Sequence, residues 1–397
     1  YHGASRSLQQ FEKKYDLVLT SYGILRTGRE DLQKKHFDLA IFDELQNAKN
    51  QASQTHRSLK KLRTVMRLGM TGTPLENNLQ ELKTLFDLIL PQFLPRDALF
   101  KEQFLQPIER ENDPGKKQQL RNIIRPFILR RKKSEVLLDL PEKIEEISYC
   151  DLSQEQQKLY REAARSSQIQ VVQELQNADK PIPYMHIFAV LTKLKQICDH
   201  PAIYLKDVAH YTKYSSGKWN LFVELLNETR DSNQKLVIFS QYLDMLSIIE
   251  SHLKEHKIKF ASIKGSTRKR EEEIRRFHED PQCEVFVASL LAAGVGIDLS
   301  AGSVVIHYDR WWNPAKENQA TDRVHRIGQN RGVQVFKLVT KHTIEERIHQ
   351  IIESKLSLIE EAVGKDDGEQ LKRFSRDELL QVFQEITQEL DKTQIIF

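Results

Sequence analysis

Short apolar or β-branched runs alternate with polar stretches through the first ninety residues. Asp16 to Thr20, Phe37 to Phe42 and Arg67 to Met70 read as strands, with helical spacing between them. Parallel strands joined by crossover helices produce this pattern. From about Leu85 to Cys198 the strand signal fades, while Gln154 to Gln176 and Pro183 to Gln196 carry apolar residues at helical spacing, so the middle third reads as predominantly helical. Strand signals return at Lys235 to Phe239, Phe260 to Ile263, Val285 to Ala288, Val304 to Tyr308 and Val333 to Val339, which predicts a second α/β domain. After Thr343 the pattern is charged helix to the end. The organisation expected is an α/β segment over 1–88, helical segments over 89–200, a second α/β domain over 201–345 and a helical extension over 346–397. Within the helical part, Arg125-Pro126-Phe127-Ile128-Leu129-Arg130-Arg131-Lys132-Lys133 packs five basic residues into nine and reads as a solvated, extended linker or as a basic hinge near a phosphate backbone.

Composition narrows the class. With 397 residues, 39% of them hydrophobic and 29% charged, the chain is folded and too long for one small module. The longest uncharged run, Val285 to Ile297, falls short of the ~18 apolar residues that span a bilayer, so no membrane partner is expected. Sixty basic against 56 acidic residues give a net charge of +4, which permits a polyanionic partner without requiring one. Cys150, Cys198 and Cys283 are far apart and offer neither a CxxC metal pair nor a disulfide framework, which points to a reducing, intracellular compartment: cytoplasm or nucleoid in a bacterium, nucleus in a eukaryote. A chain that opens at Tyr1 without a signal pattern reads as a piece of something longer.

Several strings carry chemistry. Leu39-Ala40-Ile41-Phe42-Asp43-Glu44 ends an apolar strand in two carboxylates, where open α/β sheets place a ligand crevice and where an acidic pair can hold Mg²⁺ and orient a water. About thirty residues on, Gly69-Met70-Thr71-Gly72-Thr73-Pro74 makes a tight turn with two hydroxyls beside a rigid proline. Gly294-Val295-Gly296-Ile297-Asp298 offers backbone amides open to a phosphate or ribose. Tyr308-Asp309-Arg310-Trp311-Trp312-Asn313-Pro314 ends another strand with two tryptophans, either core or an indole for a nucleic-acid groove. In Gln319-Ala320-Thr321-Asp322-Arg323-Val324-His325-Arg326-Ile327-Gly328-Gln329, the arginines three apart on a helix share a face and can reach one polyphosphate, the arginine-finger role.

The order DELQ, TGTPLENN, FSQY, GST, GVGID and YDRWWNPAKENQATDRVHRIGQ resembles the Swi/Snf-type branch of the superfamily-two helicases, from Thr20 to about Arg347. That resemblance implies two RecA-like parallel-sheet lobes with helical insertions between them, ATP in the cleft, Mg²⁺, and double-stranded DNA lying across both lobes. It assigns Asp43 to water-mediated Mg²⁺ binding, Glu44 to activating the attacking water, and Gln319, Arg323 and Arg326 to the γ-phosphate. It places Gly294, Gly296 and Asp298 near the nucleotide. Thr20, Ser21, Tyr22, Thr71, Gly72, Thr73, Ser240, Gln241, Gly265, Ser266, Thr267 and Trp311 fall on or near the DNA track. The function implied is an ATP-driven translocase on duplex DNA that remodels protein–DNA complexes. The alternatives are a strand-separating helicase and a non-catalytic DNA-binding fragment.

Departures accompany the match. No G-x-x-x-x-G-K-[ST] string occurs, since the Gly-Lys pairs at Gly115, Gly217 and Gly364 are followed by Lys, Trp and Asp. The chain is thus expected to be a truncated translocase whose first lobe lacks its nucleotide-binding strand and loop, with poor ATP affinity of its own. Asp298 stands where the family usually carries Asn. Two further strings compete for notice. His252-Leu253-Lys254-Glu255-His256 matches an inverted zinc-protease pattern but reads as the wet face of a helix. Arg268-Lys269-Arg270-Glu271-Glu272-Glu273 mixes signs in tandem, as a solvated helix start does.

Overall fold

The computed structural model describes residues 16–27, 29–71, 79–109, 111, 113–131, 137, 139–176, 181–290, 296–311, 314–354 and 379–380. The chain forms two compact units, divided between residues 131 and 132.

The first unit runs through helices α1 (Tyr22–Thr27) and α2 (Arg29–Lys34), strand β1 (His36–Phe42), helix α3 (Gln54–Lys60), strand β2 (Arg63–Gly69) and helix α4 (Leu79–Ile89). A helical stretch over Asp97–Glu109 and helix α5 (Pro114–Ile124) follow. The local chemistry fits these bounds: Ser53 Oγ caps α3 by accepting the His56 amide at 3.1 Å, and Asp113 caps α5 with Pro114 in the first turn. β1 and β2 pair in parallel, from His36 opposite Arg63 to Phe42 opposite Gly69. One side of this pair closes on Leu25, Leu45, Leu59, Leu85 and Leu88. Leu39 and Met66, then Ile41 and Leu68, lie side by side in the register, and all four are exposed. A second cluster, with Leu82, Phe86, Phe100, Phe104 and Leu120, ties α4 to the helices after it.

Two expectations change here. Asp16 to Thr20 has strand composition, but among the described residues it is a bend and coil leading to α1. Arg125–Phe127 is a 3₁₀ turn continuing α5 rather than extended linker, and Lys132 and Lys133 lie outside the described residues.

The second unit comprises β3 (Lys143–Cys150), α6 (Gln154–Gln176), α7 (Tyr184–Asp199), α8 (Gly217–Asp231), β4 (Leu236–Ser240), α9 (Leu243–Glu255), β5 (Phe260–Ile263), α10 (Arg270–Glu279), β6 (Val285–Ser289), β7 (Val304–His307), α11 (Pro314–Thr321), β8 (Val333–Thr340) and α12 (Ile344–Ser354). Its six strands are all parallel, in the order β3-β8-β7-β4-β6-β5. Sheets covered on both faces read as unbroken apolar runs, and every residue of β4, β6 and β7 is buried. Alternate residues feed opposite cores. Val237, Phe239, Phe286, Ala288 and Val305 meet α6, α7 and Phe277 of α10, whereas Leu236, Ile238, Val285, Val287 and Ile306 meet α8 and α9. All three cysteines are buried thiols.

β3 was not expected: it falls in the segment that reads as helical insertion, yet it is an outer strand paired with β8 over its whole length. The buried Lys218, with Asp199 at 2.8 Å and Glu345 at 2.5 Å, ties α8 to the end of α7 and the start of α12. Gly217 is the residue that lets α8 approach: a Cβ there would meet the Asp151 carbonyl oxygen at 1.8 Å.

Candidate active site

In the first unit the ladder continues past its strands. The Met70 amide donates to the Phe42 carbonyl and the Leu45 amide to the Met70 carbonyl, both at 2.8 Å, which sets Thr71 beside the Asp43-Glu44 turn. A Cβ at Gly69 would stand 2.5 Å from Leu45 Cδ2, so this close approach depends on the missing side chain. Glu44 adopts φ 49°, a left-handed conformation costing on the order of 1 kcal/mol or more in a residue with a side chain. Its amide donates to Asp43 Oδ1 at 3.0 Å, and its carboxylate accepts from the Gln46 side chain. Tyr22 donates its hydroxyl to the Asp43 carbonyl at 2.6 Å. Burial first, then the charges of Asp43 and Glu44, push that phenol up to about 12, so it remains a donor. The resemblance places Tyr22 near DNA; its hydroxyl is committed to the acidic turn. Ser21 Oγ accepts the Ile24 amide at 3.3 Å and starts α1, with Thr20 exposed before it. Gly72 and Thr73 lie outside the described residues. Asp43 is exposed at the carboxyl end of β1, and its Oδ1 is turned by the Glu44 amide, which suits a carboxylate holding Mg²⁺ through water.

The second unit gathers another set. α11 stops at Thr321, and residues 322–328 are successive turns, so Arg323 and Arg326 do not share a helical face as their spacing predicts. They meet by another route. The Arg323 carbonyl accepts the Leu299 amide at 2.9 Å, and Arg326 Nη1 donates to the Ile297 carbonyl at 3.3 Å. Both arginines are thereby held against the loop that carries Gly296 and Asp298. Gly296 has φ 42°. Burial pushes the Asp298 pKa up, but hydrogen bonds from Ser300 and then the charges of Arg326 and His278 outweigh it and hold the carboxyl below its ordinary value. Gln319 lies one turn back on α11, and Gly294 is outside the described residues.

Gln329, quoted in the motif without a role, staples this arrangement. Its buried side-chain amide donates to the carbonyls of Ser300 at 3.1 Å, Gly302 at 2.8 Å and Val324 at 3.2 Å. Gly328, at φ 100°, supplies the turn before it. His307 Nε2, within 2.8 Å of Thr321 Oγ1, pins the end of α11 to β7.

A third group sits where the strand order reverses, at the carboxyl ends of β4 and β7, which is where open α/β sheets bind ligands. Buried Asp309 accepts from Ser240 Oγ and from the Gln241 amide at 3.2 Å. Lys195 of α7 donates to the Arg310 carbonyl at 2.6 Å, and Glu317 takes the Trp311 amide at 2.7 Å and faces Arg310 Nε at 3.2 Å. Trp311 is 6% exposed and belongs to the core, so its ring is not displayed for DNA as the resemblance implies. Ser240 is likewise buried, whereas Gly265 and Ser266 form an exposed turn after β5, closed by Thr267 Oγ1 accepting the Lys264 amide at 2.9 Å. Sequence reasoning passed over Asp309, Lys195 and Glu317. A buried charge is invisible in sequence, although the DRWWNP string was itself the signal for Asp309.

Residues 1–203 match the SNF2-related domain and residues 217–328 the helicase conserved C-terminal domain. The chain belongs to the SNF2 family. Among solved structures, the SWI2/SNF2 ATPase core of Sulfolobus solfataricus in complex with double-stranded DNA is 35% identical, with a TM-score of 0.51, covering 93% of this chain and 77% of that one. The two units are accordingly the RecA-like lobes of an SNF2-family protein. Relatives include YwqA of Bacillus subtilis, 37% identical over 376 residues, and the TATA-binding protein-associated factor mot1 of Schizosaccharomyces pombe, 31% identical over 445 residues. The chain spans 40% of the former and 23% of the latter. No described helix is long and apolar enough to cross a membrane.

Proposed function

We propose that this chain is part of an ATP-driven translocase on double-stranded DNA, acting on protein–DNA complexes. The observation that carries the reading is that Arg323 and Arg326 are both held against the Gly296–Asp298 loop of the second unit. In the first lobe, Glu44 takes the proton of the attacking water. Asp43 would hold Mg²⁺ through water, and the ion would neutralise charge on the phosphates. From the second lobe, Arg323 and Arg326 neutralise charge on the transferred phosphoryl group and Gln319 senses its presence. The exposed turn Gly265–Thr267, with Gln241 and Thr71, contacts the DNA backbone. Contacts of that kind make affinity fall steeply with salt and carry little sequence preference.

The test is ATP turnover, with and without duplex DNA, in a longer protein that supplies a phosphate-binding loop. Duplex DNA should stimulate turnover, and Glu44→Gln should abolish it while nucleotide still binds. A Glu44→Gln protein hydrolysing at the wild-type rate removes the assignment. Strand displacement from a blunt duplex would favour the helicase instead.

A further inference from the structure

Helix α9 ends in a cluster that the translocase reading does not use. One nitrogen from each of His252 and His256 and one carboxylate oxygen of Glu255 lie within 4.8 Å of one another. Residues three and four apart share a helical face, which is why the H-x-x-E-H spacing brings them together. His252 does not stand on the wet face as its sequence setting suggests. It is 9% exposed, on the stripe with Met245, Ile248 and Ile249, and its ring meets Trp219 edge to face at 5.1 Å.

Two hydrogen bonds orient the other members. His256 Nδ1 donates to the His252 carbonyl at 2.9 Å, which fixes the tautomer and leaves the Nε2 lone pair available to an ion. Tyr211, from the turn Val208–Lys213, donates its hydroxyl to Glu255 Oε2 at 2.8 Å and leaves Oε1 for an ion. Backbone carbonyls and hydroxyls in these positions are the outer shell that metal-ligating His and carboxylate groups characteristically carry. The adjacent ammonium of Lys254 lies over the Phe260 ring, 6.0 Å from its centroid.

We propose that His252, Glu255 and His256 bind a zinc ion at the carboxyl end of α9, with Tyr211 holding the carboxylate. Two imidazoles and one carboxylate suit a borderline-soft divalent metal, with water completing a tetrahedral shell, and disfavour Mg²⁺ or Ca²⁺. The ion clamps the last turn of α9 and, through Tyr211, the turn before α8. Calorimetric titration of ZnCl₂ into the full chain, freed of metal with a chelator, should show one saturable equivalent. His256→Ala and Glu255→Gln change half-exposed and exposed groups that the core does not require, and each should weaken uptake about tenfold or more. Tyr211→Phe should weaken it less. Absence of saturable uptake, or an unchanged affinity in His256→Ala, overturns the site. Full retention of zinc by Glu255→Gln overturns the carboxylate's part in it.

Discussion

Mild acid should loosen the second unit through His307. This imidazole is fully buried, stacked on Phe239 at 5.4 Å between centroids and bonded to Thr321. Burial holds its pKa down to about 4, against 6.5 for an ordinary histidine. As the pH falls through 6.5 the unfolded chain takes up a proton that the folded one refuses until about pH 4. Stability is therefore complete above 6.5 and lost between those values. At about 1.4 kcal/mol per unit, the loss is about 2.5 kcal/mol by pH 4.5 and about 3.4 kcal/mol at its limit. His200 and His252, both held down to about 4 by burial, steepen the wild-type curve in the same window. Glu145 titrates outside it: burial raises its pKa, but hydrogen bonds from Lys143 and Lys337 reverse this and hold it at about 2. The measurement is urea unfolding at a series of pH values, in the wild type and in His307→Asn, followed by tryptophan emission. Trp219, Trp311 and Trp312 all belong to the second unit, so the signal reports on it. Between pH 7 and 4.5 the variant should lose about 2.5 kcal/mol less than the wild type. Parallel curves would refute the argument.

Arg326→Ala should reduce DNA-stimulated ATP turnover by about 10³- to 10⁵-fold with little change in folding, read by steady-state kinetics and circular dichroism. Asp309→Ala strips the partner from Ser240 Oγ and the Gln241 amide, and should cost about 1–3 kcal/mol in unfolding free energy and weaken duplex binding in a fluorescence-anisotropy titration. Gly217→Ala drives a methyl group into the Asp151 carbonyl and should destabilise the second unit by about 3 kcal/mol or more in chemical unfolding, with the first unit unaffected.

The sequence displayed β4, β6 and β7 plainly because both faces of each are covered, leaving no polar interruption. β3 escaped notice for the opposite reason. Lys143-Ile144-Glu145-Glu146 carries charge into an outer strand, and Glu145 is satisfied by Lys143 and Lys337 rather than by water alone. Strand propensity misled at Leu17 to Thr20, which lie as coil among the described residues despite their apolar β-branched character. The carboxylates at Asp43 and Glu44 were legible, but the strained backbone of Glu44 and the clasp from Tyr22 depend on contacts across some twenty residues. Spacing put Arg323 and Arg326 together on a helix; turns and two carbonyl bonds bring them to the same loop. His252 was misplaced although Met245, Ile248 and Ile249 marked its stripe at helical intervals.

One glutamine ties two separate segments of the second unit together. With three carbonyls gripped by Gln329, the arginine turns and the glycine loop travel as a single casting. Neither can be re-aimed without unlatching the other. A substitution aimed at either segment of the second unit therefore disturbs the other through Gln329.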